Sequence, residues 1–147
     1  MSTNIVLEFD AELVAPPERV FAAVTEGRHL ERWFCDACDS EPEQDGRLTM
    51  RWHRAYSSPR PYEATWVEFD APSRAACKGG HQGYPNRDAG TIIFDVSPAP
   101  GGTKLHVTHE MGHPALYSNF AKGYSDAWPR ALRRLAEYLA PKTLEKA

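Results

Sequence analysis

From Asn4 to Val14 the chain alternates: Ile5, Leu7, Phe9, Ala11 and Leu13 are apolar, with Glu8, Asp10 and Glu12 between them. A period of two sends one side of an extended backbone into a core and the other into water, so this stretch predicts a first strand. Pro16 and Pro17 stop the ladder, and Pro17 suits the first turn of a helix, predicted over Pro17 to Thr25. Gly27 closes that helix. Leu30, Trp33 and Phe34, at helical spacing, predict a second short helix over Arg28 to Phe34.

Five strand-like runs come next: Arg47 to Trp52, Tyr62 to Phe69, Arg74 to Lys78, Gly90 to Val96 and Thr103 to His109. Clusters rich in Pro, Gly, Asp and Ser separate several of them, Asp70 to Ser73 and Ser97 to Gly102 among them, and such clusters favour turns over ladder pairing. A weaker run near Asp39 to Gln44 pairs with Arg47 to Trp52 around Asp45-Gly46, which brings the count to six or seven strands. In the last third, Phe120, Tyr124, Trp128, Ala131, Leu132, Leu135, Tyr138 and Leu139 form one broad apolar stripe of a helix. Pro129 leaves two readings: a helix capped by Ser125 or Asp126 with the proline in its first turn, or a longer, kinked helix begun near Leu116.

Strands before a long helix predict an α+β fold: a curved antiparallel sheet wrapped around the C-terminal helix, with two short helices after the first strand. At 147 residues the chain fits a single domain over 1–147. Seventeen basic and 20 acidic residues give a net charge of -3, so no strong field draws the chain to nucleic acid. No run approaches the roughly 20 apolar residues of a membrane span, and the N-terminus lacks the pattern of a secretion signal. A cytoplasmic location is expected, and the odd count of three cysteines fits free thiols in a reducing compartment.

His109-Glu110-Met111-Gly112-His113 spells H-E-x-x-H, the pattern of zinc metalloproteases. That chemistry needs a helix, because only a 3.6-residue period brings both histidines to one face. Here Leu105, Val107 and His109 continue a strand alternation, Gly112 weakens a helix and Pro114 disfavours helical geometry at His113. The match is expected to be accidental, with no metal, no cofactor and no catalytic residue assigned to it. A second metal reading takes Cys35, Cys38, Cys77 and His81 as a structural zinc set, against three ordinary thiols.

A helix laid across a sheet leaves a space that is either core or cavity. Leu48, Met50, Trp52, Trp66, Phe94, Leu105, Val107 and His109 are expected to face it from the strands, with Tyr124 and Trp128 opposite on the helix. Alternation also turns Glu68 toward the Trp66 face, and Trp33 closes the second helix against the same interior. The candidate ligand-binding set is therefore Trp33, Met50, Trp52, Trp66, Glu68, Phe94, His109, Tyr124 and Trp128.

The segments Ala15 to Phe34, Asp45-Gly46, Ala64 to Pro72, Thr91 to His109 and Ala127 to Leu139 together resemble the SRPBCC superfamily. More narrowly they resemble the subgroup named after the activator of the heat-shock-protein-ninety ATPase. Ala127 and Pro129 depart from that pattern at the start of the long helix. The resemblance implies the START-like helix-grip fold of the birch-pollen allergens, a cavity for a small hydrophobic or amphipathic molecule, and a place in a stress response. It leaves two alternatives: a co-chaperone-like protein-interaction module, or a cyclase, dehydratase or hydrolase using His109.

Overall fold

The computed structural model describes residues 4–51, 61–81, 90–111 and 114–141, with residues 81 and 114–120 described by their backbone alone. Along the chain run β1 (Val6–Leu13), α1 (Pro17–Thr25), α2 (Gly27–Trp33), β2 (Ala37–Ser40) and β3 (Arg47–Arg51). Then come β4 (Tyr62–Asp70), β5 (Arg74–His81), β6 (Gly90–Ala99), β7 (Gly102–Glu110) and α3 (Pro114–Leu139). The seven strands form one open sheet in the order β1-β7-β6-β5-β4-β3-β2, every pair antiparallel. This is the α+β helix-grip architecture, with a C-terminal helix over one face of the sheet.

Alternation decides which side is inner. Leu48 and Met50 of β3, Ile92, Phe94 and Val96 of β6, and Thr103, Leu105, Val107 and His109 of β7 are all buried, while their neighbours along each strand are partly or fully exposed. Trp128, Ala131, Leu132, Leu135 and Leu139 of α3 join these strand residues in one core, as do Val20, Phe21 and Val24 of α1. Fully burying a large apolar side chain contributes about 1.5 to 3 kcal/mol, so this shared core holds helix to sheet.

Two boundaries differ from the sequence expectation, and one question left open there is decided. Glu26, in extended conformation, is the joint between α1 and α2, and Gly27 opens the second helix instead of closing the first. β2 stops at Ser40, short of Gln44, because the chain from Glu41 to Gly46 folds into a turn that docks on β4: Asp45 N–H donates to Trp66 O and Trp66 N–H donates to Gly46 O. Of the two readings of Pro129, the longer helix is the one formed, running 26 residues from Pro114.

Within that turn Asp45 takes a left-handed conformation, φ 67°, which short polar side chains tolerate. Gly46 is buried beside it, and a Cβ there would run into the backbone carbonyl oxygen of Glu41. Gly46→Ala is expected to cost about 1 to 3 kcal/mol by overpacking, read as a lower urea midpoint at unchanged slope. Gly123→Ala, on α3 with open space around the new methyl, should raise the midpoint by the helix-propensity difference of about 0.5 to 1 kcal/mol.

Candidate functional site

Three buried tryptophans must each find an acceptor for the indole N–H, since leaving it unpaired away from water costs about 1 to 3 kcal/mol. Trp33 donates to the Ala23 carbonyl at 2.8 Å, tying α2 to α1, and Trp66 donates to Ser40 Oγ at 3.1 Å, tying β4 to β2. Trp128 is different: its indole donates to Nδ1 of His109 at 3.0 Å, joining the middle of α3 to the end of β7. Around Trp128 lie Phe34, stacked at 5.1 Å between ring centroids, Phe94 edge-on at 6.3 Å and Phe9 at 6.2 Å. Tyr124, one helical turn earlier, meets the His109 ring edge-to-face at 4.5 Å.

His109 is 3% exposed. Burial disfavours its charged form and lowers its pKa to about 4, so the ring is neutral at physiological pH. An imidazole nitrogen that accepts a hydrogen bond carries no proton, so Nδ1 is the bare nitrogen and Nε2 carries the N–H.

The structure brings together four members of the candidate set: Phe94, His109, Tyr124 and Trp128. Trp33 touches this group through Phe34, whose ring lies 5.0 Å from it. Met50 is buried on β3 in register with Tyr62, and Trp66 packs instead with Phe69 and, through it, Phe21 of α1. Trp52 lies outside the described residues. Glu68 is a correction. A bulge between Trp66 and Glu68 leaves Val67 without a partner on β5 and shifts the alternation by one, so Glu68 points to the outer surface. There it pairs with Arg74 at 3.0 Å.

Sequence reasoning missed Phe34, Tyr62 and Cys77 as interior groups. Tyr62 is buried at the start of β4, its hydroxyl 4.0 Å from the Cys77 sulfur, and it shares the parity of Ala64 and Trp66, which was the signal that could have found it. Burial raises the Tyr62 pKa well above the ordinary phenol value and pushes the Cys77 thiol up to about 12, so both stay protonated. The hydrogen bond with Cys38, followed by burial, likewise raises the Cys35 pKa. All three cysteines are free thiols, and among the described residues no group of three His, Cys, Asp or Glu side chains stands close enough to hold a metal ion. The His81 side chain and all of His113 lie outside the described residues.

His109 and Glu110 are consecutive residues of β7, the first buried and the second exposed, so they point to opposite faces. The one-turn helical geometry of a zinc protease is therefore lost at the first two positions of H-E-x-x-H. No helix among the described residues is long and apolar enough to cross a membrane.

The neutral histidine has a thermodynamic consequence. Its pKa falls from 6.5 in the unfolded chain to about 4 in the fold, so its contribution to stability is complete above pH 6.5 and is lost as the pH falls toward 4. Over that window the wild type should lose about 3 kcal/mol more than His109→Gln, a variant that keeps an acceptor for Trp128 but does not titrate. Urea unfolding of both proteins at pH 7 and pH 4 measures it; parallel losses would show that His109 is not held neutral.

Comparison with known proteins places this geometry. In solved structures the chain is similar to a Rhodobacter sphaeroides protein at TM-score 0.79 and 21% identity, covering 91% of each chain. It is similar to the Aha1 dimer from Colwellia psychrerythraea at TM-score 0.76 and 15% identity, over 92% of this chain and 96% of that one. Protein Ms6760 from Mycobacterium smegmatis matches at TM-score 0.76 and 18% identity, over 93% and 91%. At such identities the likeness is one of fold. No curated protein matches the chain. The family model described as Activator of Hsp90 ATPase homolog 1-like protein matches residues 14–140, and the chain belongs to that family.

Proposed function

We propose that the chain binds a small, largely apolar molecule between the inner face of the sheet and α3. One observation carries this reading: an imidazole buried in an aromatic setting where a plain core needs no polar group. The other buried polar side chains among the described residues, Thr25 and Thr103, direct their hydroxyls to the carbonyls of Phe21 and Ala15 and serve the backbone. His109 instead meets only side chains, Trp128 on Nδ1 and the Tyr124 ring beside it. Apolar walls with one or two placed polar groups are the usual composition of a small-molecule site.

Phe94, Tyr124 and Trp128 would form the wall nearest His109, with Trp33, Met50 and Trp66 extending it and Trp52 as a further candidate. A catalytic role as general base is less well supported, because the nitrogen that could take a proton is already accepting from Trp128. Membership of the family supports a ligand-binding or interaction module, and the fold alone hosts many activities.

Protein purified without detergent and examined by native and then denaturing mass spectrometry should release an apolar molecule. Stripped protein should regain thermal stability when that molecule is returned. Protein that carries nothing, and whose tryptophan emission and Tm are unmoved by a panel of uncharged aromatic compounds, would retire the reading.

A docking role has one feature in its favour. Between β1, an edge of the sheet, and α3 lies an open cleft of about 340 Å³ lined by Phe9, Asp10, Ala11, Pro129, Leu132 and Arg133. A similar fold, the Colwellia psychrerythraea Aha1, is described as a dimer. Self-association through this cleft predicts a concentration-dependent dimer in sedimentation velocity, weakened by Arg133→Glu. A monomer at all concentrations withdraws it.

A further inference from the structure

The two nitrogens of His109 are not equivalent, and the difference specifies what the interior can hold. Trp128 donates to Nδ1, which leaves Nε2 as the N–H of a neutral ring. Trp128 is the one hydrogen-bond partner found for His109 among the described residues. On the neighbouring strand β6, Gly90 brings no side chain against Nε2: a Cβ there would be in ordinary contact with it, at 3.9 Å. No enclosed side-chain nitrogen or oxygen among the described residues lacks a partner, so Nε2 is not a sealed orphan: part of its surface is open to a water-sized group.

Charge supplies the second constraint. Among the described residues no Lys, Arg, Asp or Glu is buried. A ligand carrying a carboxylate or an ammonium would find no buried counter-charge among these residues and would lose its hydration for nothing in return.

We infer that the interior is selective for uncharged, mostly apolar molecules bearing a hydrogen-bond acceptor of the ketone, ester or quinone class, whose oxygen accepts from Nε2–H of His109. This rests on the ligand-binding reading above and narrows it: the protein supplies a donor here, so a ligand offering only a donor, or no polar group at all, is the poorer fit. Tyr124, edge-on to the imidazole, and Phe94 would flank the acceptor and exclude water from the bond.

Fluorene, fluorenone and fluorene-9-carboxylate share one ring system and differ in the group at a single carbon, so they isolate the polar contribution. Titrated into the stripped protein and followed by tryptophan quenching, fluorenone should bind about three- to ten-fold more tightly than fluorene, the range expected for one neutral hydrogen bond. The carboxylate should bind weakest. His109→Phe should bind fluorene and fluorenone alike, and His109→Gln, whose amide can accept from Trp128 and donate to the ligand, should recover part of the preference.

Should the phenylalanine variant fail to fold, nitrogen-15 NMR of the wild type carries the test. The His109 Nε2–H resonance should move downfield with fluorenone and stay with fluorene. Equal binding of the two compounds with no resonance shift overturns the acceptor inference and leaves the ligand-binding reading standing. Binding of none of the three sinks both, and tightest binding of the carboxylate overturns the inference through its charge argument.

Discussion

The hydrogen bond from the Trp128 indole to His109 Nδ1 is the constraint on which the interior of this protein turns. It is the point at which α3, the last element of the chain, is bonded by a side chain to β7, the strand just before it. A packed aromatic core alone would hold the helix against the sheet, because burial is proportional to area and indifferent to direction. The hydrogen bond adds direction. It sets the rotation of α3 that turns Trp128 toward Phe34 and Phe94, and with it the position of Tyr124 one turn away. It also requires a neutral imidazole, so helix position and protonation state are coupled.

The three buried tryptophans show how one chemical need is met with different results. Trp33 and Trp66 use a backbone carbonyl and a serine hydroxyl, groups that cannot change their charge in the ordinary pH range, and they fasten α2 to α1 and β4 to β2. Both are structural bolts. Trp128 uses a titratable acceptor whose second nitrogen stays available. Outside, the sheet carries a ladder of charge across five strands: Asp10 of β1 contacts His106 of β7 at 2.7 Å, Asp95 of β6 contacts Arg74 of β5 at 2.7 Å, and Arg74 contacts Glu68 of β4 at 3.0 Å. His106 and Asp95 are register partners, which closes the row. Exposed pairs of this kind contribute little to stability, and here they mark the face that must stay in water.

Much of the fold was legible because most strands of the sheet have one wet face. Alternation over Val6–Leu13 and Gly102–Glu110 named both the strands and their inner residues, and His109 was placed correctly as the last inward position of its run. The apolar stripe through Trp128 and Leu135 likewise named the helix face. Glu68 was misplaced because a bulge leaves no mark in a pattern of apolar and polar residues: Val67, apolar yet exposed, looks like an interruption of the face, when it is the inserted residue. The start of α2 and the end of β2 were misread for a related reason. Gly27 and Gln44 carry turn or strand propensity, but the extended joint at Glu26 lets Gly27 open α2, and backbone hydrogen bonds to Trp66 turn the chain away before Gln44.

The H-E-x-x-H match shows most clearly how a motif depends on its context. The same two letters, His109 and Glu110, would sit about 100° apart on a helix and could serve one metal, whereas on a strand they stand on opposite faces. Residue identity is therefore insufficient, and the alternation leading into Leu105, Val107 and His109 already settles which period applies. Once the period is two, His109 must enter the core, where an unpaired imidazole would be costly, and a partner has to come from across the interior. Among the described elements those that cross it are helices, and the large donor on the inner stripe of α3 is Trp128. What the sequence could not disclose is which ring nitrogen that indole would reach. The choice of Nδ1 over Nε2 is made by the height of β7 against α3, a tertiary distance, and that choice turns His109 from an acceptor into a donor toward anything it meets inside.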